Sequence, residues 1–253
     1  MMYVFNKLGT YVVEFVYSFI LFLRFMGHLY CSLINMLMGR LRLAWLNIVR
    51  TIYYAGVKLV IPFMFISTFL GISMVMKVNS ILTPYNLQRD GRLIAQNILT
   101  HDLVPFVIGV LLCIQSALNF INVKVNEEEL NAPQQVVVNH ILPVLIGINI
   151  AGGLLYAYAV AAFFISIYIT YQYFLYTNLY VPMVRILTAI TIYDVVYSIL
   201  KTTLYCTIVS LTIGYYYYDM TVRSLSLRLT VSRMMTRGFL WLALTGLCLN
   251  YWE

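Results

Sequence analysis

The longest apolar stretch of the chain sets the first limit on its fold. From about Val136 to Tyr176 the sequence contains no Asp, Glu, Lys or Arg. A helix rises about 1.5 Å per residue, so about 20 residues cross the roughly 30 Å hydrocarbon core of a bilayer. The stretch therefore predicts a membrane helix that either projects beyond the bilayer or breaks. Its small residues Gly147, Ala151, Gly152 and Gly153 predict close approach of another helix.

The composition agrees with a membrane protein. Of the 253 residues, 62% are hydrophobic and 10% are charged, whereas soluble domains carry about 25% charged residues. These values exclude a water-soluble domain and predict an all-α polytopic membrane protein. The Lys and Arg residues are scattered at the ends of apolar stretches without a basic run, so no nucleic-acid partner is expected.

About five transmembrane helices are predicted in a domain that covers residues 46–253. The first lies at about Val57 to Met76, and the third starts near Val136. The last is short, so its helix is expected to begin near Thr230. The second, fourth and last spans are placed at Leu103 to Ile121, Val195 to Tyr216 and Gly238 to Trp252, respectively.

Residues 1–45 are predicted to form N-terminal interfacial helices. The run Val12 to Leu23 is apolar, but Glu14 and Arg24 limit the uninterrupted part to fewer than the about 20 residues that a span needs. Residues 28–45 have helical periodicity. We interpret the region as helices in the membrane interface, with a true span as the alternative. Because Glu14 interrupts the run and no small-residue cleavage site follows, no signal peptide is expected.

The positions of the basic residues predict the topology, since inner loops carry an excess of Lys and Arg. With the N-terminus inside, the outer segments hold only Lys77, Arg89, Arg92 and Arg185. The inner segments hold more: Lys7, Arg40, Arg42, Arg50, Lys124, Arg223, Arg228, Arg233 and Arg237.

A short acidic link joins the second and third predicted spans and lies inside in this topology. We define the acidic link as Lys124 to Leu130; it contains Glu127, Glu128 and Glu129. It is either a solvated loop or an element that docks onto a soluble partner through its carboxylates and Leu130.

Two positions place ionisable groups in or beside the predicted spans. His101 and Asp102 begin the second span, where the helix dipole favours a negative side chain by about 0.3–1 kcal/mol. Lys201 lies inside the fourth span, where a charge costs about 2.5–3.5 kcal/mol on insertion scales. It either extends to the interface or pairs internally, with Asp194 and Asp102 as candidate partners.

Arg233 and Arg237 are four residues apart and are expected to share one helix face on the inner side. They are either topology determinants that contact anionic lipids or a docking surface for an acidic partner.

No motif predicts enzymatic chemistry. The sequence has no P-loop, so the chain is not expected to hydrolyse ATP by itself. The four cysteines lie far apart without a CxxC pair, and neither a metal nor a cofactor is expected.

Three stretches from about Leu46 onward resemble the MlaE/YrbE permease family. IYYAGVKLVIPFMFISTFLGISMVMK resembles the family's first span, and ILTHDLVPFVIGVLL resembles its "LLRELGPVxxALL" run. The closing run, DVVYSILKTTLYC followed by GYYYYD and VSRMMTRGFL, resembles "DLxxxLxKSxxF…GY…VGRATTRAVV". Lys201, Arg233 and Arg237 fall on the family's basic positions, and His101 and Asp102 fall on its Arg-Glu pair.

The resemblance implies the membrane permease subunit of an ABC system that moves phospholipids. Such a subunit works as a homodimer with an ATPase subunit and an MCE-domain protein, in a bacterial or organellar inner membrane. In the family a cytoplasmic coupling helix docks on the ATPase, which assigns that role to the acidic link. His101, Asp102, Leu103 and Lys201 would line a lipid-headgroup cavity near the outer leaflet.

The sequence departs from the family pattern at the end of the second span. The motif "AGRxGxxxxAExGxM" is missing, and Gln115 stands where its Arg would be. The coupling segment is also shortened. These departures keep a second function open: a permease-derived structural subunit of a larger membrane complex, with no transport activity of its own.

Overall fold

The computed structural model describes residues 2–40, 45–82, 102–121, 133–174, 191–223 and 225–251. Within these ranges the chain is helical and contains no β-strand, which confirms the all-α class. The predicted positions His101, Lys124, Glu127 to Glu129 and Leu130 lie outside the described residues. The helices are α1 (Met2–Leu37), α2 (Trp45–Ile52), α3 (Lys58–Leu82), α4 (Val104–Ile121), α5 (Leu142–Ile169), α6 (Ile192–Arg223) and α7 (Leu227–Tyr251).

The polytopic prediction is confirmed. In the part of the chain that the structure describes, four helical stretches are long and apolar enough to cross a membrane: Val16–Leu37, Trp45–Lys77, Gln134–Phe174 and Ile192–Arg223. The predicted second span is a shorter apolar helix, Val104–Phe120. The last predicted span belongs to α7, which begins at Leu227, close to the expected start at Thr230.

The third predicted span is one uninterrupted helical stretch and does not break. A π-helical turn, Val137–Ile141, leads into α5, and a second one, Thr170–Phe174, extends it. The helical stretch Gln134–Phe174 therefore runs for 41 residues without interruption, or about 60 Å at 1.5 Å per residue. That length is about twice the hydrocarbon thickness.

The predicted N-terminal helices form one continuous helix, α1. α1 ends at Leu37, and the chain turns at Gly39, whose backbone φ of 69° few other residue types adopt. The Gly39 N–H donates to the Met36 carbonyl and the Arg40 N–H to the Asn35 carbonyl, both at 2.9 Å. By length and composition, Val16–Leu37 of α1 can cross a membrane, which is the alternative that the sequence left open.

Contacts between small residues show that α3 and α5 run in the same direction. A Cβ added at Gly56, in the π-helical turn before α3, would lie 3.0 Å from the Cβ of Ala151. A Cβ at Gly71, further along α3, would lie 2.2 Å from the Oγ of Ser166, further along α5. Both helices therefore cross the bundle in one direction.

α6 runs parallel to α4 and opposite to α5. Ring contacts join Phe106 to Tyr205 and Phe120 to Tyr217, so residue numbers rise together along α4 and α6. Against α5 they run in opposite order, because Thr207 lies beside Asn149 while Gly214 lies beside Ile141, just before α5. The directions alternate as consecutive membrane crossings require. We call the two ends of the bundle the Lys201 end and the Arg223 end.

The predicted close approach along the third span is found at three of four positions. A Cβ at Gly147 would lie 2.7 Å from the Cβ of Thr51, and one at Gly152 would lie 2.2 Å from the Sγ of Cys206. Ala151 faces Gly56, as described above. Gly153 was also expected to approach another helix closely. A Cβ added there would have no atom within 4 Å, because Gly153 is exposed on the outside of the bundle.

Candidate functional site

Lys201 is buried in α6 and forms an ion pair with Asp102, at the entry to α4. The Lys201 Nζ donates a hydrogen bond to Asp102 Oδ1. The Lys201 side chain is 1% exposed and that of Asp102 is 33% exposed. Of the alternatives that the sequence left open, the structure therefore has an internal partner, and Asp102 supplies it.

Asp194, the other candidate partner, organises the start of α6. Its carboxylate Oδ2 accepts a hydrogen bond from the Thr191 backbone N–H at 3.0 Å. In return, the Asp194 N–H donates to the Thr191 hydroxyl oxygen at 3.3 Å. This reciprocal arrangement satisfies backbone groups at a helix N-terminus. It places Asp194 about two turns before Lys201, in a capping role.

Aromatic and hydroxyl groups surround the ion pair. The Lys201 ammonium lies 5.6 Å from the centroid of the Tyr197 ring, within cation–π range. Ser198 donates to the Asp194 carbonyl at 2.9 Å, and a side-chain hydrogen bond joins it to Tyr156 on α5. The charged group is thus enclosed by α4, α5 and α6, which limits its exchange with water and lipid.

Leu103 follows Asp102 and anchors the entry of α4. It is half-buried and packs on the cluster of Phe163, Ile167 and Tyr171 on and after α5. This packing fixes the backbone that carries Asp102. Leu103 therefore lies beside the ion pair.

A second ion pair lies at the opposite end of α6. The Arg223 Nε is 2.9 Å from Asp219 Oδ1, one helical turn earlier. Arg223 also donates from Nη2 to the Ser18 hydroxyl at 3.0 Å, and its guanidinium lies 4.6 Å from the centroid of the Tyr17 ring. These contacts attach α1 to the Arg223 end of the bundle.

Other contacts of α1 lie at the same end. Phe25 packs edge-on against Tyr215 and contacts Tyr218 with ring centroids 5.6 Å apart. The Tyr215 hydroxyl donates to the Ser18 carbonyl at 3.3 Å. These contacts join the part of α1 from Ser18 to Phe25 to the last turns of α6.

Arg233 and Arg237, predicted to share a face of α7, are both exposed and border one cavity. The cavity lies between α1, α6 and α7 and has a volume of about 930 Å³. Its polar lining residues are Glu14, Ser18, Thr212, Asp219, Arg223, Arg233 and Arg237, and its aromatic and apolar ones are Phe19, Phe22, Met26, Ile208, Leu211, Tyr215, Tyr216 and Trp241.

A smaller cavity of about 530 Å³ lies at the Arg223 end between α2, α4 and α5. Arg50, Ser116 and His140 are among its polar lining residues. Near it, Phe120 and His140 contact the same Tyr217 ring, with centroids 4.7 and 5.7 Å away. Since these two residues flank the acidic link in sequence, both attachment points of the link lie at the Arg223 end.

The sequence analysis singled out Lys201, Arg233 and Arg237, but it missed the ion pair of Asp219 and Arg223. Their spacing of four residues in a helix was an available signal. Nothing in the sequence pointed to Ser18 as a partner of Arg223, because the two are 205 positions apart. Within the described ranges, no group of His, Cys, Asp or Glu side chains is arranged to hold a metal ion.

Comparison with protein-family models gives a match to the family described as Permease MlaE over residues 48–252. The matched part begins in α2 and extends through α7, so it contains Asp102, Lys201, Arg233 and Arg237 and leaves out α1. The comparison with curated proteins gives no match.

Proposed function

Because this chain belongs to the MlaE permease family, whose members are membrane permeases of lipid transport systems, we propose that it is the permease subunit of an ABC-type phospholipid transporter. In this role it has no covalent chemistry of its own. A partner ATPase closes on ATP, tilts the membrane helices and changes the shape of a lipid cavity at a homodimer interface. An MCE-domain protein receives or delivers the phospholipid.

The buried ion pair of Lys201 and Asp102 carries this proposal. A charge inside an apolar bundle costs free energy unless it is paired, so its presence calls for a functional explanation. Asp102 is partly exposed, whereas Lys201 is almost inaccessible. We therefore assign the headgroup contact to Asp102, with His101 and Leu103 beside it. Lys201 acts through Asp102 by fixing the position of its carboxylate.

The acidic link is the proposed attachment point for the ATPase. Its flanking residues lie at the Arg223 end, where Arg223, Arg233 and Arg237 also lie. By the positive-inside rule that end faces the inner compartment, where ATP is available. Glu127, Glu128 and Glu129 would contact basic groups of the ATPase.

One observation favours the structural alternative. Gln115 stands where the family has an Arg, and its Nε2 donates to the Tyr54 backbone carbonyl at 3.3 Å. The side chain thus joins α4 to the π-helical turn before α3. In a permease-derived subunit that only packs in a larger membrane complex, Gln115 would serve to hold these two helical segments together.

Purification in mild detergent separates the two functions. A transporter should retain an ATPase subunit at equal stoichiometry together with an MCE-domain protein. Many unrelated membrane subunits without an ATPase would instead establish the structural role. Inner-membrane localisation, in a bacterium or an organelle, is expected for either.

Charge neutralisation then tests the site assignments. Replacing Glu127, Glu128 and Glu129 together by Gln should reduce ATPase recovery, whereas Asp90→Asn, in a connection predicted to face outward, should not. Lys201→Leu should leave membrane insertion intact and impair phospholipid transfer in reconstituted vesicles. Wild-type transfer by Lys201→Leu would refute the assigned role of the ion pair.

A further inference from the structure

The cavity between α1, α6 and α7, which we call the α1 groove, lies at the Arg223 end, whereas Asp102 and Lys201 lie at the other. Its volume of about 930 Å³ falls within the range of about 300–1,000 Å³ that is usual for small-molecule sites. α1 lies outside the residues that match the family. The groove is therefore separate from the proposed headgroup cavity.

The lining of the α1 groove changes from charged to apolar along two helices. On α7, Arg233, Arg237 and Trp241 follow each other at intervals of four residues and so share one face. On α6, the lining runs from Arg223 inward to Leu211. A phospholipid has the same order of groups, with a charged phosphate followed by apolar chains.

The charged part of the groove has an excess of positive charge. Arg223 is paired with Asp219, so these two charges offset each other. Glu14 also lines the groove and opposes the remaining arginines. Within the described residues no carboxylate forms an ion pair with Arg233 or Arg237, and both lie close enough to the Tyr216 hydroxyl to interact with it electrostatically.

We propose that the α1 groove binds one anionic phospholipid from the leaflet at the Arg223 end. Guanidinium groups match phosphate geometry, and Arg233 and Arg237 hold the phosphate. An acyl chain lies between Phe22, Leu211 and Trp241. Phe22 and Trp241 are 39% and 52% exposed, so the groove opens towards the surrounding membrane. These apolar walls favour a membrane lipid over free phosphate, which would bury no apolar surface.

Native mass spectrometry of the purified full chain tests the headgroup contact. We expect phosphatidylglycerol to bind more tightly than phosphatidylcholine with the same chains. The double variant Arg233→Gln, Arg237→Gln should lose about 30-fold in phosphatidylglycerol affinity, the effect expected of two basic groups near a membrane surface. Phosphatidylcholine binding should fall less, because the choline cation offsets the phosphate charge. Arg228→Gln is the matched control, because Arg228 is exposed on the same helix but does not line the groove.

Cross-linking with phosphatidylglycerol that carries a diazirine in its chain locates the bound lipid. Labelled peptides should contain Phe22 or Trp241, and Leu211→Trp, which fills the groove, should reduce their labelling. Equal affinities of the double variant and Arg228→Gln would overturn the proposal. So would labelling confined to the Lys201 end, or displacement of the lipid by inorganic phosphate at equal concentration.

The inference does not depend on the proposed transport function. Asp102→Asn, at the opposite end, should impair transfer while leaving diazirine labelling of the α1 groove within twofold of wild type. A chain that binds the lipid in the α1 groove but transfers none would remove the transport proposal alone. A chain that transfers lipid without labelling in the groove would remove the groove proposal alone.

Discussion

The two ends of the bundle contain similar charged groups in opposite surroundings. At the Lys201 end, the ammonium is enclosed by three helices and paired with Asp102. At the Arg223 end, Arg233 and Arg237 are exposed beside the cavity of about 930 Å³. An enclosed charge contributes mainly through the cost of leaving it unpaired, whereas an exposed one remains available for a ligand. Substitutions at the first end should therefore change stability, and those at the second should change binding.

The largest effect is expected from Asp102→Leu. This variant removes a carboxylate that pairs with the nearly inaccessible Lys201 ammonium, and breaking a buried pair costs about 3–5 kcal/mol. Lys201→Leu should cost less, about 1–3 kcal/mol, because the Asp102 carboxylate that remains is partly exposed. The free energies of unfolding can be compared by titration of the purified chain with SDS in mixed micelles.

The double variant Asp102→Leu, Lys201→Leu provides the control for this asymmetry. It leaves no uncompensated charge, so it should be more stable than Asp102→Leu alone. If the stability that the double variant loses relative to wild type equalled the sum of the two single losses, the ion pair would not couple the two positions. The enclosed character of the Lys201 end would then be wrong.

The next largest effect is expected from glycine-to-alanine substitutions, which test helix packing at the two ends. Gly71→Ala would place a Cβ 2.2 Å from the Ser166 Oγ and 2.8 Å from its Cβ, so α3 and α5 must shift. Overpacking of this kind costs about 1–3 kcal/mol. Gly27→Ala in α1 meets no atom within 4 Å, and Ala in a helix should stabilise the chain by about 0.5–1 kcal/mol.

Thermal unfolding in detergent measures both glycine variants under one condition. Gly71→Ala should lower the midpoint and Gly27→Ala should raise it or leave it unchanged. Ser166→Gly should restore part of the loss in Gly71→Ala, because it removes the two atoms in conflict. Equal midpoints for the two single variants would mean that packing is no tighter at Gly71 than along α1.

The apolar spans could be predicted from the sequence because they follow from the cost of placing polar groups in lipid, and the same cost limited Lys201 to the interface or an internal partner. The sequence could not predict which carboxylate pairs with Lys201. Asp194 is seven residues from Lys201 and Asp102 is 99 away, yet the structure pairs Lys201 with Asp102. That choice depends on how α4 and α6 are rotated against each other, which side-chain packing between helices sets.

The contacts of α1 show the same limit. Because Glu14 and Arg24 interrupt its apolar run, the sequence predicted an interfacial position with a true span as the alternative, and Val16–Leu37 is long and apolar enough to cross a membrane. The pattern of charges in α1 did not identify Ser18 as the contact of Arg223, because a serine in a helix has no distinctive spacing. The α1 groove was equally hidden, since part of its lining comes from α1, which is far in sequence from α6 and α7.

The smallest effect is expected between the two ends, where a polar contact joins α5 and α6. The Thr207 hydroxyl lies 3.1 Å from Asn149 Oδ1 and 2.7 Å from the Thr203 carbonyl oxygen, so one hydrogen is shared by two acceptors. Hydrogen bonds between membrane helices average about 0.6 kcal/mol in double-mutant cycles. The coupling free energy between Thr207→Val and Asn149→Leu, measured by SDS titration, should therefore be about 0.6 kcal/mol or less. A coupling as large as that of Asp102 with Lys201 would show that the stabilising polar contacts extend to mid-bundle and are not concentrated at the Lys201 end.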